Sequence, residues 1–192
     1  LENADGKEVG SVKIESEEDT YGNNVVISSA NSEKPVIIDM AGKDLTVNGT
    51  ASNEAQGIAA TGGDVTIKGA ADVNITAKSE SGIASAIHAV GTSADNKANV
   101  TIENSGTVTL KAENKDGGVA VLNAQSNANV NITGKVNITQ VCEGNVAVNV
   151  GEGSTVAIGG GEIDAGKDGT AIVITGEDSK VIANTDDKGE SK

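Results

Sequence analysis

Apolar and polar residues alternate along this chain in a three-line pattern that recurs four times between residues 64 and 179. The first line has the form Val-x-Ile and opens at Val65, Val100, Val130 and Val156. The second line reads Val73-Asn74-Ile75, Val108-Thr109-Leu110, Val136-Asn137-Ile138 and Ile163-Asp164-Ala165. The third line joins an alanine to an aliphatic residue, at Ala86-Ile87, Ala120-Val121, Ala147-Val148 and Ala171-Ile172. The openings lie 35, 30 and 26 residues apart, and such a period is typical of stacked supersecondary units.

Each recurrence predicts three short β-strands separated by turns. Side chains in a strand point alternately to its two faces, so Val65 and Ile67 are expected inside and Thr66 outside. One coil of three strands cannot bury its own apolar face, but stacked coils can, at about 4.8 Å per coil. Parallel crossover connections are almost always right-handed. We therefore predict an all-β fold, a right-handed parallel β-helix of about six coils with three short strands each, roughly 30 Å long.

The first third of the sequence is less regular than the rest. Strand-like runs occur at 12–14, 24–28 and 36–40, and the acidic turn Glu17-Glu18-Asp19 lies among them. We expect residues 1–32 to form an irregular N-terminal capping segment and residues 33–192 to form the β-helix repeats. The chain begins with Leu rather than Met, as mature or excised forms do, so we expect it to be a fragment of a longer surface protein.

Composition narrows the kind of core and the kind of partner. The chain has no Phe and no Trp, and Tyr21 is its single tyrosine, so Val, Ile and Ala must fill a narrow interior. The formal charge is −14, with 28 acidic residues against 14 lysines. Such a charge repels nucleic-acid phosphates and anionic membrane surfaces, so no nucleic-acid partner is expected. No apolar run approaches the roughly 20 residues that span a bilayer, so no membrane insertion by this segment is expected.

Cys142 is the single cysteine of the chain. A lone cysteine cannot form a disulfide within its own chain. The prediction for Cys142 is a small buried apolar thiol, with an intermolecular bridge or a reactive thiol as the alternative.

Three stretches of the repeat resemble the repeats of bacterial surface β-helices: Asp64-Val65-Thr66-Ile67-Lys68-Gly69, Val136-Asn137-Ile138-Thr139 and Gly169-Thr170-Ala171-Ile172. That group includes autotransporter passenger regions and cell-wall-attached, adhesin-like proteins of the pectin-lyase-like fold, and the resemblance covers roughly residues 36 to 183. It implies secretion, display at the bacterial cell surface, and adhesion or spacing. It implies no particular site residue.

The resemblance also raises the question of catalysis, because the pectin-lyase-like fold hosts polysaccharide lyases and hydrolases. A lyase would need a basic residue, and the lysines at predicted strand ends are Lys68, Lys111 and Lys135. A hydrolase would need two carboxylates at a suitable separation, and the nearest approach to such a pair is Glu162 and Asp164, followed by Asp168. No second pair on a neighbouring repeat converges with them, so we expect no enzyme and no catalytic residue.

The remaining polar features also predict structure rather than chemistry. Acidic turns occur at Asp116-Gly117-Gly118, Lys167-Asp168-Gly169 and Asp186-Asp187, without the spacing of a calcium β-roll or an EF-hand. His88 has no ligand partner at metal-binding spacing and is expected to be exposed. Gly159-Gly160-Gly161 lacks the Lys-Ser/Thr of a phosphate loop and is expected to be a turn. We therefore predict no cofactor and no metal site.

Two functions of different classes follow. The first is a non-enzymatic extracellular surface module, an adhesin or stalk segment, with a host or bacterial surface glycan or protein as partner and weak end-to-end self-association. The alternative is a degenerate glycan-binding or glycan-active β-helix, although Tyr21 is the only ring on which a sugar could stack. An ice-binding solenoid is disfavoured because the outward column Thr66, Thr101, Asn131, Ala157 is irregular.

Overall fold

The computed structural model describes residues 11–104 and 106–183, which form 18 strands and no helix. Numbered in chain order, the strands belong to three six-stranded sheets. The first sheet contains β1 (Ser11–Glu15), β4 (Asp44–Ala51), β7 (Val73–Ser79), β10 (Thr107–Asn114), β13 (Lys135–Gln140) and β16 (Gly161–Asp164). The second contains β2 (Asn24–Ser29), β5 (Ala55–Thr61), β8 (Ile83–Val90), β11 (Gly118–Gln125), β14 (Val146–Gly151) and β17 (Thr170–Thr175). The third contains β3 (Val36–Asp39), β6 (Asp64–Ala70), β9 (Asn99–Asn104), β12 (Asn129–Ile132), β15 (Thr155–Ile158) and β18 (Lys180–Ala183).

Each strand pairs in parallel with the strand three positions before or after it in the chain, so three consecutive strands make one coil. The third sheet shows the register most plainly, because one valine column runs its whole length: Val36, Val65, Val100, Val130, Val156 and Val181. The predicted parallel β-helix of about six coils with three strands per coil is confirmed.

The core is a single cluster of aliphatic side chains that runs along the axis of the stack. In the first sheet Ile75, Leu110 and Ile138 lie on top of one another and are at most 1% exposed. Burying an aliphatic side chain of this size contributes about 1.5–3 kcal/mol. Val, Ile, Leu and Ala, together with Met40, fill the layers without a ring, and Val, Ile and Ala provide most of them as the composition predicts.

One line of the sequence repeat is displaced by a residue from its predicted alignment. The pattern aligns Ala120-Val121 with Ala86-Ile87, but the structure pairs Leu122 with Ile87 and with Val148. Leu122 is the larger aliphatic side chain and is fully buried, so β11 takes the register that places it, rather than Val121, in the column of Ile87.

Part of the predicted capping segment contributes strands to the stack. β1 pairs with β4 and β2 pairs with β5, both in parallel. Hydrogen bonds from Asn24 stabilise the connection between β1 and β2. Its Nδ2 donates to the carbonyl oxygens of Ser16 at 2.8 Å and Thr50 at 3.0 Å. Residues 1–10 and 184–192, including Asp186-Asp187, lie outside the described residues, and a capping role for residues 1–32 stays a prediction.

Candidate functional site

The outward faces of the sheets, where side chains of successive coils form columns, are the largest regular surfaces that this fold offers to a ligand. The third sheet carries an amide column. Asn129 Nδ2 donates to Asn99 Oδ1 at 2.9 Å, and Asn99 Nδ2 donates to Asp64 Oδ1 at 2.7 Å. These groups satisfy one another from coil to coil, which ties the coils together and leaves fewer atoms for a ligand.

The second sheet carries a comparable column that includes the histidine. Asn149 Nδ2 donates to Asn123 Oδ1 at 3.0 Å, and Gln125 Nε2 donates to the same oxygen at 3.2 Å. The amide nitrogen of Asn123 lies 3.1 Å from His88 Nδ1. Since both hydrogen bonds to Oδ1 fix the orientation of this amide, Asn123 donates and His88 Nδ1 accepts.

His88 is therefore only half-buried, which corrects the prediction of an exposed side chain. The predicted outward orientation of His88 is correct, but Asn123 of the next coil lies against one side of the ring. Desolvation lowers the pKa of His88 below its ordinary value, and the nearby Glu54 carboxylate partly opposes that shift. The neutral ring is the form that this column accommodates.

The first sheet has a different outward face. Its central column is Thr46, Asn74, Thr109 and Asn137, one residue from each of four successive coils. Unlike the Asn99–Asn129 and Asn123–Asn149 amides, these side chains make no hydrogen bond to another described residue. A strip of neutral hydroxyl and amide groups is thus left available on an acidic protein.

Sequence reasoning missed the contrast between this strip and the other two columns. The outward residues of the second line were recognised, but their hydrogen bonding depends on which residues become neighbours. The signal that could have found it is the in-register alignment of the Thr46, Asn74, Thr109 and Asn137 positions, which the repeat itself provides.

Beside this strip lies a small group of ion pairs. Lys111 Nζ is 2.5 Å from Glu113 Oε1, and Lys78 Nζ is 3.6 Å from Glu113 Oε2. The hydrogen bond from Lys111 holds the pKa of Glu113 below its usual range, against the opposing effect of desolvation. Two of the lysines considered as catalytic bases therefore form ion pairs. Lys111 pairs with Glu113, and Lys68 pairs with Asp39 at 3.2 Å on the third sheet.

The carboxylates considered for hydrolysis lie on β16, the strand of the first sheet in the last described coil. Glu162 neighbours Asn137 and Asp164 neighbours Thr139 across the ladder. Asp164 Oδ1 accepts the backbone N–H of Gly166 at 2.9 Å, which is a turn interaction. Lys135 is exposed at the start of β13. The structure does not bring these residues together around a common point.

The acidic turns have local explanations as well. Asn114 Oδ1 accepts the backbone N–H groups of Asp116 at 2.9 Å and Gly117 at 2.7 Å. Asp168 adopts a positive φ of 54°, which acidic turn residues tolerate. Within residues 11–104 and 106–183, no group of three or more His, Cys, Asp or Glu side chains is placed to hold a metal ion.

Cys142 lies at the corner between the first and second sheets and packs against the core while remaining half-buried. Its sulfur accepts the backbone N–H of Asn114 at 2.8 Å and donates to the carbonyl oxygen of the same residue. The thiol packs against the core as predicted but is not fully buried, because it lies at a corner where it also links two coils through hydrogen bonds.

A shallow depression near the N-terminal end is lined by Glu15, Ser16, Glu17, Asn48 and Thr50. The hydrogen bond from Lys13, followed by that from Asn48, lowers the pKa of Glu15 below its usual range. The exposed ring of Tyr21 belongs to the turn between β1 and β2 and does not line this depression.

The fold and its outward columns define the class to which this chain belongs, the parallel β-helices. Comparison with protein-family models, curated proteins and solved structures finds no match for the chain. The described residues include no helix long and apolar enough to cross a bilayer. The likeness to bacterial surface β-helices therefore rests on the repeat residues and enters the function only as a proposal.

Proposed function

We propose that this chain is a non-enzymatic extracellular surface module, an adhesin or stalk segment of a bacterial surface protein. The observation that carries the proposal is the continuity of the stack. Three parallel sheets stay paired through six coils around one aliphatic cluster, with one local irregularity between Lys68 and Ala70 in the third sheet. A continuous β-helix is well suited to act as a surface spacer, because each added coil lengthens it by about 4.8 Å.

The coil-to-coil hydrogen bonds support the same proposal. Backbone ladders and the amide columns of Asn99–Asn129 and Asn123–Asn149 all connect one coil to the next. They therefore lie along the stacking axis, which is the direction in which a stalk bears load. Resemblance of the repeat lines to bacterial surface β-helices supports the extracellular location.

Display on bacteria tests the proposal. The chain is placed between an outer-surface anchor and an epitope tag, and tag retention is measured after external protease treatment. We expect the tag to be retained, and to be lost in an Ile132→Asp control whose stack is disrupted. The same cells are tested for adhesion to host-cell and bacterial surfaces. Rapid tag loss from the unaltered chain without any gain in adhesion would contradict the proposal.

Glycan binding is the second candidate, and the strip Thr46–Asn74–Thr109–Asn137 on the first sheet favours it. Neutral hydroxyl and amide groups in a regular column fit hydroxyl-rich chains, whose recognition needs donors and acceptors not already engaged. Binding to a panel of neutral polysaccharides should fall in Asn74→Asp and remain in Asn131→Asp, the same change on the third sheet. Equal binding by both variants would remove this candidate.

Absence of turnover is also a prediction. The protein is incubated with acidic and neutral polysaccharides, with and without Ca²⁺, and release of unsaturated or reducing ends is measured. We expect none, because the residues beside Glu162 and Asp164 in the preceding coil are Asn137 and Thr139, so no carboxylate of that coil joins them. Cleavage that disappears in Glu162→Gln or Asp164→Asn would overturn the non-enzyme assignment.

A further inference from the structure

The last described coil exposes aliphatic side chains whose counterparts one coil earlier are buried. Ile172 and Ile174 on β17 are 40% and 49% exposed, whereas Val148 and Val150, their neighbours on β14, are 0% exposed. Residues 184–192 contain no apolar side chain, so these residues cannot supply hydrophobic cover for the isoleucines.

A second observation comes from the outward column of the third sheet. It begins with Ile37 on β3 and ends with Ile182 on β18, which are 60% and 41% exposed. The residues between them are Thr66, Thr101, Asn131 and Ala157. Large aliphatic side chains on this outward face thus occur only at the two ends of the described column.

We propose that copies of this chain stack head to tail, with β16, β17 and β18 of one copy pairing in parallel with β1, β2 and β3 of the next. Open strand edges recruit further strands, and the partner that continues all three columns in register is a second copy. Extending the observed register places Ile182 beside Ile37 of the next copy, and Ile172 beside Ile27 of the next copy.

Charge sets the conditions for this contact. The same register places Glu162 opposite Lys13 of the next copy, which is favourable, but Asp164 opposite Glu15 of the next copy, which is not. Each copy also carries a net charge of −14. Because salt screens repulsion between exposed charges, stacking should strengthen as ionic strength rises. The inference does not depend on the proposed surface function.

Disulfide trapping tests the register directly. Ile37→Cys and Ile182→Cys are prepared as separate proteins, each in a Cys142→Ser background, so that each carries one thiol. Neighbouring residues of a parallel ladder have Cα atoms about 4.8 Å apart, within the disulfide range of about 4.4–6.8 Å. Mild oxidation of the mixture at high salt should give a covalent dimer of one copy of each variant. Either variant alone should give little dimer.

An Asn131→Cys protein in the same background is the matched control, since Asn131 is exposed in the middle of the same column. Mixed with Ile37→Cys, it should not be trapped above the level of random collision. Equal trapping with Asn131→Cys, or equal trapping of each end variant with itself, would overturn head-to-tail stacking.

Sedimentation velocity of cysteine-free protein gives an independent measurement. The weight-average sedimentation coefficient should rise with protein concentration and with salt. Lys13→Glu should reduce the increase in the sedimentation coefficient. The double variant Lys13→Glu, Glu162→Lys should restore it, because the two charges of the pair have only exchanged places. A monomer at every concentration and salt, together with no trapped dimer, would exclude the proposal.

Discussion

At the scale of single residues, neighbours in one strand of this protein lie in opposite environments. Ile132 on β12 is 0% exposed and pairs with Ile102 on one side and Ile158 on the other. Asn131, one position earlier, is exposed. The same acidic substitution should therefore have very different consequences at the two positions.

We predict that Ile132→Asp lowers the free energy of unfolding by about 3–5 kcal/mol, because it buries an unpaired carboxylate between two apolar layers. Asn131→Asp should change it by about 0.5 kcal/mol or less, since the side chain stays in solvent. Urea unfolding followed by circular dichroism measures both. Similar losses at the two positions would contradict the alternation on which the coil assignment depends.

His88 makes stability depend on pH in a defined direction. Its pKa is lower in the folded protein than the ordinary value of about 6.5, mainly through desolvation. Folding therefore favours the neutral ring. The contribution to stability is fully present above pH about 6.5 and is lost as the pH falls through the folded-state pKa.

The measurement is the unfolding free energy between pH 5 and 8 for the unaltered chain and for His88→Asn. The variant keeps an amide in the column of Asn123 and Asn149 but has no titrating ring. We predict that it loses less stability on acidification. Carboxylates with lowered pKa, such as Asp39 and Glu113, also cost stability on acidification, but equally in both proteins. Parallel curves would show that His88 contributes nothing.

At the scale of elements, the connection between β15 and β16 shows how closely the coils approach. A Cβ added to Gly159 would lie 1.7 Å from the carbonyl oxygen of Gly134 in the coil before, whereas one added to Gly160 would meet nothing within 4 Å. The turn predicted at Gly159-Gly160-Gly161 is thus confined to Gly159 and Gly160, because Gly161 begins β16. Gly159 is needed for the close approach of two backbones.

Gly159→Ala should destabilise the protein by about 1–3 kcal/mol, because backbone atoms must move apart. Gly160→Ala should be neutral or stabilise by up to about 1 kcal/mol, through a smaller entropy of the unfolded chain. Thermal unfolding midpoints compare the two. Equal effects would mean that the coils do not approach at Gly134 as the structure has them.

The elements differ in how far the sequence could predict them. In β6, β9, β12 and β15 the Val-x-Ile line has the register that the sequence predicts. A shift of one residue would turn the buried Val and Ile side chains to the solvent face, so no other register is favourable. β11 was misaligned by one residue, since Gly118 to Gln125 offers two adjacent aliphatic residues, Val121 and Leu122, and packing decides between them.

The sequence predicts which residues form the outward columns. It does not predict which of their side chains hydrogen-bond to one another. That Asn123 bonds to His88 while Asn74 bonds to no described side chain depends on which residue lies one coil away and how its amide is turned. The half-burial of His88 was missed for this reason. Contacts between coils follow from register, and register errors of one residue exchange every neighbour.

At the scale of the whole molecule, the predicted N-terminal cap can be tested by truncation. Removing residues 1–32 deletes β1 and β2 and uncovers β4 and β5, where Leu45 and Ile58 are 0% exposed. The deletion also removes seven carboxylates and two lysines, so the formal charge changes from −14 to −9. Newly exposed apolar edges and weaker repulsion both favour association.

We predict that the chain lacking residues 1–32 unfolds at a lower temperature than the full chain and associates more strongly, increasingly so with salt. A second truncation, lacking only residues 1–10, keeps β1 and β2 and separates the role of these strands from that of the residues before them. Sedimentation equilibrium at low and high salt gives the association, and calorimetry gives the stability. A truncated chain that stays monomeric in high salt and is as stable as the full chain would show that residues 1–32 do not cap the stack.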